Sequence, residues 1–125
     1  MPVKLKNIFI VDDDKLTSMM LSDHLQENPL NNVTVFHTGE ECIRNLQLNP
    51  DVIILDYNLS SEVRDAADGM EILQQIKKID PDVHVIMLSS QDEYGKALQA
   101  IVKGALEYVV KDDEAFKRID HILEG

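Results

Sequence analysis

Residues 51–70 read "DVIILDYNLSSEVRDAADGM", and the fold turns on how that stretch is parsed. Val52, Ile53, Ile54 and Leu55 form an unbroken apolar run of strand length. No polar residue alternates with them, so such a strand is covered on both faces. Asp56 follows directly, and a mostly polar connection leads to Gly69. Beyond it Met70, Leu73, Ile76 and Ile79 recur at helical spacing until Pro81. A doubly covered strand, a polar loop and an amphipathic helix make one βα unit.

The same alternation runs along the whole chain, without an internal repeat or a linker. "LKNIFIV" (5–11) reads as a strand, followed by a helix from Lys15 to Glu27 with Leu16, Met20, Leu21 and Leu25 on neighbouring faces. "NPLNN" is a turn and "VTVF" (33–36) a second strand. Thr38 and Glu41 form a capping box for a helix reaching Leu48. "VHVIML" (83–88) is a fourth strand. Ser90 and Glu93 cap a helix that carries Leu98, Ile101 and Val102 and ends at Gly104. "LEYVV" (106–110) is a fifth strand, and Phe116, Ile119 and Leu123 mark a last helix. Five strands alternating with five helices predict an α/β domain, a doubly wound five-stranded parallel sheet.

A chain of 125 residues fits one domain spanning 1–125. Its 44% hydrophobic content is enough for a real core. No apolar run has the length of a membrane span. Cys42 is the only cysteine, so an internal disulfide is excluded and a reducing cytoplasm is the expected compartment. The formal charge of −11 repels phosphate backbones, which argues against direct nucleic-acid binding. It favours cations. Within Asp12-Asp13-Asp14 the adjacent charges raise one another's cost of ionisation unless a cation sits among them.

In open α/β sheets the site lies beyond the carboxyl ends of the strands. The residues expected there are Asp12 and Asp13 after the first strand, Asp56 after the third, Ser89 and Ser90 after the fourth, and Lys111 after the fifth. Carboxylates, a hydroxyl and an ammonium suit Mg²⁺, a hard cation held by one or two carboxylates plus a phosphate. Asp13 and Asp56, with a backbone carbonyl near Asn58, are the candidate ligands. An aspartate is also a competent phosphoryl acceptor. Any one such Asp is more often a cap or a turn residue, as expected for Asp14. Ser90 reads the same way, and Lys77 and Lys103 read as solvated. His24, His37, His84 and His121 have no zinc-ligand spacing, and Met19, Met20, Met70 and Met87 fall at core spacings.

"IFIVDDDKLTSMMLSDHL", "PDVIILDYNL", "DGMEILQQIK", "VHVIMLSSQ" and "KGALEYVVK" together resemble the receiver domains of bacterial two-component response regulators, of the chemotaxis-regulator type. The resemblance covers essentially the whole chain and implies a flavodoxin-like strand order 2-1-3-4-5. It implies Asp56 as the phosphoacceptor, fed by a histidine kinase or a histidine phosphotransfer protein. Asp13 matches a direct Mg²⁺ ligand, Asp12 one acting mainly through water, and Asn58 a ligand through its backbone carbonyl. Ser89 matches the switch hydroxyl, Tyr108 the switch aromatic and Lys111 the phosphate-contacting lysine. Phosphorylation would then shift the surface around the fourth helix and fifth strand, towards an output domain, a target protein or a homodimer.

Two features depart from the family pattern. Ser60 stands where a proline is common, and the stretch from Asp56 to Gly69 is about five residues longer than usual, with "SSEVRDAAD" (60–68) reading as an insertion beside the site. Asp112 also replaces the usual proline after Lys111, so a trans Lys111–Asp112 bond is expected. Two rival readings are weaker. A haloacid-dehalogenase-like phosphatase would use Asp12 and Asp14, but the chain has no room for a cap domain, and Asp56 and Lys111 would go unexplained. A degenerate receiver acting only by binding is at odds with intact Asp13, Asp56, Ser89 and Lys111. The expected role is a switch rather than an enzyme.

Overall fold

The computed structural model describes residues 4–59, 68–90 and 94–124. In chain order the elements are β1 (Lys6–Val11), α1 (Lys15–Gln26), β2 (Asn31–Phe36), α2 (Gly39–Arg44), β3 (Val52–Asp56), α3 (Gly69–Ile79), β4 (His84–Ser89), α4 (Tyr94–Val102), β5 (Glu107–Val110) and α5 (Ala115–Glu124). All neighbouring strands are parallel, in the order β2-β1-β3-β4-β5. The expected flavodoxin-like α/β architecture is therefore present, with five helices.

The sheet splits the core into two layers, as the unbroken apolar strands require. Phe9, Val11, Ile53, Leu55, Val85 and Met87 face one side, packed with Ile72, Leu73 and Ile76 of α3 and Ala100 of α4. Ile8, Ile10, Ile54, Ile86, Leu88 and Val109 face the other, packed with Leu21 and Leu25 of α1 and Ile119 of α5. The chain leaves β1 for β2 on one side and returns for β3 on the other. The crevice between β1 and β3 is thus the topological switch point.

Several boundaries differ from expectation. β3 and β4 each run one residue further, so Asp56 and Ser89 lie within the sheet, in register with Leu88 and Val110. The α2 helix stops at Arg44, because Asn45 turns its side-chain amide back to the Glu41 carbonyl at 2.7 Å. A short 3₁₀ turn over Leu46–Leu48 follows. The buried stripe of α1 is Ser18, Leu21, Ser22 and Leu25, so Leu16, Met19 and Met20 are exposed rather than core. The hydroxyls are small enough to sit at the sheet, and the apolar residues lie one step off the i, i+3, i+4, i+7 stripe. On α4 only Ala100 is buried, while Leu98, Ile101 and Val102 are exposed.

Lys77 is not simply solvated: its Nζ donates to the Pro81 and Val83 carbonyls, both at 2.7 Å, and holds the α3–β4 turn. Asp14 caps α1 by accepting from Leu16 N–H and Thr17 Oγ1, Thr38 Oγ1 caps α2, and Asp68 caps α3. Glu93 of the expected Ser90–Glu93 cap, and all of the 60–68 insertion except Asp68, lie outside the described residues.

Gly69 carries the closest backbone approach. A Cβ there would come within 2.5 Å of the Asp56 carbonyl oxygen and 2.8 Å of Tyr57 Cα. Both neighbours are backbone and cannot swing aside, so Gly69→Ala should cost about 1–3 kcal/mol in urea unfolding. An unchanged midpoint would contradict the packing. Cys42 is fully buried, and burial pushes its thiol up to about 12. Iodoacetamide at pH 8 should leave the folded protein unlabelled and label it fully in guanidinium, read by intact mass.

Candidate functional site

Three carboxylates meet at the carboxyl edge of the sheet. Asp12 follows β1, with its N–H donating to the Phe36 carbonyl at 3.0 Å. Asp56 ends β3. Both are almost fully buried, at 2% and 3% exposure, although carboxylates this deep need partners. Ligand oxygens of Asp12, Asp13 and Asp56 all lie within 4.8 Å of one another.

Lys111 supplies the opposing charge. Its N–H donates to the Ser89 carbonyl at 2.7 Å, which anchors the end of β5 to β4. Its Nζ reaches Asp56 Oδ1 at 3.2 Å and Asp12 Oδ2 at 3.7 Å. Asp56 Oδ1 also accepts from the Asn58 N–H at 3.1 Å, and Asp12 Oδ1 from the Asp14 N–H at 2.9 Å. The strand ends therefore position this set through backbone pairing.

Among the described residues Lys111 is the ammonium that reaches the two buried carboxylates. Burial pushes the Asp12 carboxyl up to about 7, helped by the charge of Asp56 and opposed by the Asp14 N–H and Lys111. The donor set consists of oxygens only, and it fits a hard divalent cation. Asp12, Asp13 and Asp56 would hold it, and it would supply positive charge among their carboxylates.

Ser89 is fully buried at the end of β4, and Tyr108, half-buried on β5, lies in register with Met87. The two expected switch positions thus occupy neighbouring strands. Among the described residues no peptide bond is cis, Lys111–Asp112 included. Asp112 instead accepts from Glu114 N–H and binds Arg118 Nη1 at 2.9 Å, starting α5 without a proline.

Two contacts were not foreseen from sequence. Asn58 Nδ2 donates to Ser90 Oγ at 3.0 Å, joining the loops after β3 and β4. The Tyr57 ring meets the Tyr108 ring edge-to-face at 6.1 Å. Tyr57 sat beside the acceptor position, but only strand order brings it to β5.

A doubly wound parallel sheet with a carboxylate cluster and a lysine at its switch point is an α/β domain equipped for cation-assisted phosphoryl chemistry. Residues 8–123 match the response regulator receiver domain model, and the chain belongs to that family. It is similar to the chemotaxis protein CheY of Listeria monocytogenes, 30% identical over 119 residues, covering 94% of this chain and 92% of that protein. It is also similar to the protein-glutamate methylesterase/protein-glutamine glutaminase of Oceanobacillus iheyensis, 36% identical over 106 residues, covering 82% of this chain but 28% of that enzyme. Among solved structures it resembles the CheX–CheY–BeF₃–Mg²⁺ complex of Borrelia burgdorferi, with a TM-score of 0.81, 25% identity and coverage of 95% and 87%. The chain is accordingly a phosphoacceptor switch of two-component signalling. Among the described residues no helix is long and apolar enough to cross a membrane.

The raised Asp12 carboxyl gives a signed expectation. Its folded value lies above the unfolded 3.8, so its contribution to stability is full below about pH 4 and is lost as pH rises through 7. In EDTA, Asp12→Asn should therefore gain stability relative to the parent between pH 5 and pH 8, measured as the difference in urea midpoint. A difference that does not change with pH would refute the assignment.

Proposed function

We propose that Asp56 accepts the phosphoryl group and that Lys111, Ser89 and Tyr108 carry the response to it. The observation that best supports this is the buried Asp56 carboxylate, paired with Lys111 at 3.2 Å and set beside Asp12 and Asp13. A phosphohistidine on a histidine kinase or phosphotransfer protein suits this pocket as donor. An Asp56 carboxylate oxygen attacks phosphorus as the P–N bond breaks. The electron pair leaves on the imidazole nitrogen, which then takes up a proton. Lys111 draws the phosphoryl oxygens into place and offsets their charge.

Mg²⁺, when bound, neutralises the acidic pocket and the phosphoryl oxygens. Asp13 and Asp56 are its proposed direct ligands, with the Asn58 backbone carbonyl, and Asp12 acts mainly through water. The Ser89 hydroxyl turns towards the phosphoryl group and Tyr108 packs inward behind it. The surface of α4 and β5 then changes, for an output domain, a target protein or a second copy of the chain. Residues 1–125 form one receiver domain in this reading, the cytoplasm is its compartment, and the insertion at 60–68 follows the acceptor in the sequence.

Incubation with acetyl phosphate and Mg²⁺ should add one phosphoryl group by intact mass. EDTA should abolish the adduct, as should Asp56→Asn, whereas Lys111→Ala should slow its formation by at least about 10-fold. An adduct that survives in Asp56→Asn would defeat the assignment.

A further inference from the structure

Asp12 leaves β1 with both of its main-chain groups engaged by the end of β2. Its N–H donates to the Phe36 carbonyl at 3.0 Å. Its own carbonyl accepts from the imidazole Nδ1 of the half-buried His37, also at 3.0 Å. Strand pairing ends at Val11 and Phe36, and Thr38 already serves as the cap of α2. The His37 side chain therefore adds one more rung where the β2 chain turns away into a helix. A carbonyl oxygen only accepts, so this bond requires a proton on Nδ1.

That rung bears on the acidic pocket through the backbone. The Asp12 carbonyl belongs to the peptide unit that ends at Asp13 Cα, and such a unit is planar. Holding its oxygen fixes the direction in which Asp13 departs from the sheet. The Asp12 side chain is restrained as well, since its Oδ1 accepts from the Asp14 N–H at 2.9 Å. Asp13 thus lies between two anchored residues, and its carboxylate is one of the three whose oxygens lie within 4.8 Å of one another.

We propose that His37 is a positioning residue for the cation: through Nδ1 and the Asp12 carbonyl it sets the Asp12–Asp13 segment so that the carboxylates converge at the spacing Mg²⁺ needs. The inference rests on the reading of Asp12, Asp13 and Asp56 as the cation site. Mg²⁺ demands near-octahedral geometry at short distances, whereas Ca²⁺ accepts a flexible geometry at longer ones. Loosening the segment therefore costs Mg²⁺ more than Ca²⁺. A histidine acting through its charge would have the opposite sign, because a cationic ring repels a second cation.

The test titrates the full chain with MgCl₂ and, separately, with CaCl₂ at one fixed pH, following backbone amide NMR shifts of Asn58 and Lys111. His37→Ala should weaken Mg²⁺ binding about 10-fold, as loss of a group that orients metal ligands does, and Ca²⁺ binding by less than about 2-fold. His37→Asn should restore Mg²⁺ affinity to within about 2-fold of the parent, because its amide Nδ2 is attached to Cγ as the imidazole Nδ1 is. Long-range ¹H–¹⁵N spectra of the parent should show a proton on His37 Nδ1. Unchanged or tighter Mg²⁺ binding by His37→Ala would overturn the proposal, as would an equal loss for both ions. So would a parent ring protonated on Nε2 alone, a result that needs no variant to fold. Each of these leaves the cation site standing. If the parent itself bound neither ion, the cation reading would fall and the inference with it.

Discussion

Among the described residues two buried carboxylates share the carboxyl edge of the sheet with a lysine, and the cost of burying their charge is the constraint on which the rest of the structure depends. Asp12 and Asp56 are nearly inaccessible to water, where an uncompensated charge is costly. Lys111 relieves part of that cost by reaching both. Burial relieves another part by favouring protonation of Asp12. A divalent cation held by Asp12, Asp13 and Asp56 would offset what remains. The site is a place where the fold accepts instability in exchange for chemistry.

The scaffold holds those charges in place. Parallel pairing fixes Asp56 opposite Leu88 and Ser89 opposite Val110, while two apolar layers prevent the strands from sliding. α3 is pinned against β3 by the missing side chain at Gly69. In contrast, α4 buries only Ala100 of its apolar residues. A helix with so little buried surface moves at low cost. The rigid parts of the molecule thus define the site.

Much of this was legible in the sequence because it follows from periodicity. The unbroken run Val52–Leu55 required two covered faces, and the alternation of strands with helices required a parallel sheet. The strand-end rule then gathered Asp12, Asp13, Asp56, Ser89 and Lys111, and the structure brings all five to one edge. The errors have physical causes. Leu16 and Met20 are apolar, yet Ser18 and Ser22 occupy the buried stripe of α1, because tight packing against the sheet selects for size as well as for hydrophobicity. Lys77 looked solvated because its partners are backbone carbonyls beyond the helix end, which no side-chain pattern reveals. The Tyr57–Tyr108 and Asn58–Ser90 contacts join residues distant in sequence, so they become visible only once the strands are ordered.

The central claim is that Asp56 is the acceptor and that the acidic cluster is its cation site. The most direct measurement is a crystal structure of this chain grown with Mg²⁺ and beryllofluoride. The account predicts beryllofluoride density continuous with an Asp56 carboxylate oxygen, a metal bound by Asp13 and Asp56, and Lys111 Nζ in contact with a fluorine. A structure with both reagents in excess and neither at Asp56, or with the metal bound away from Asp12, Asp13 and Asp56, would contradict it.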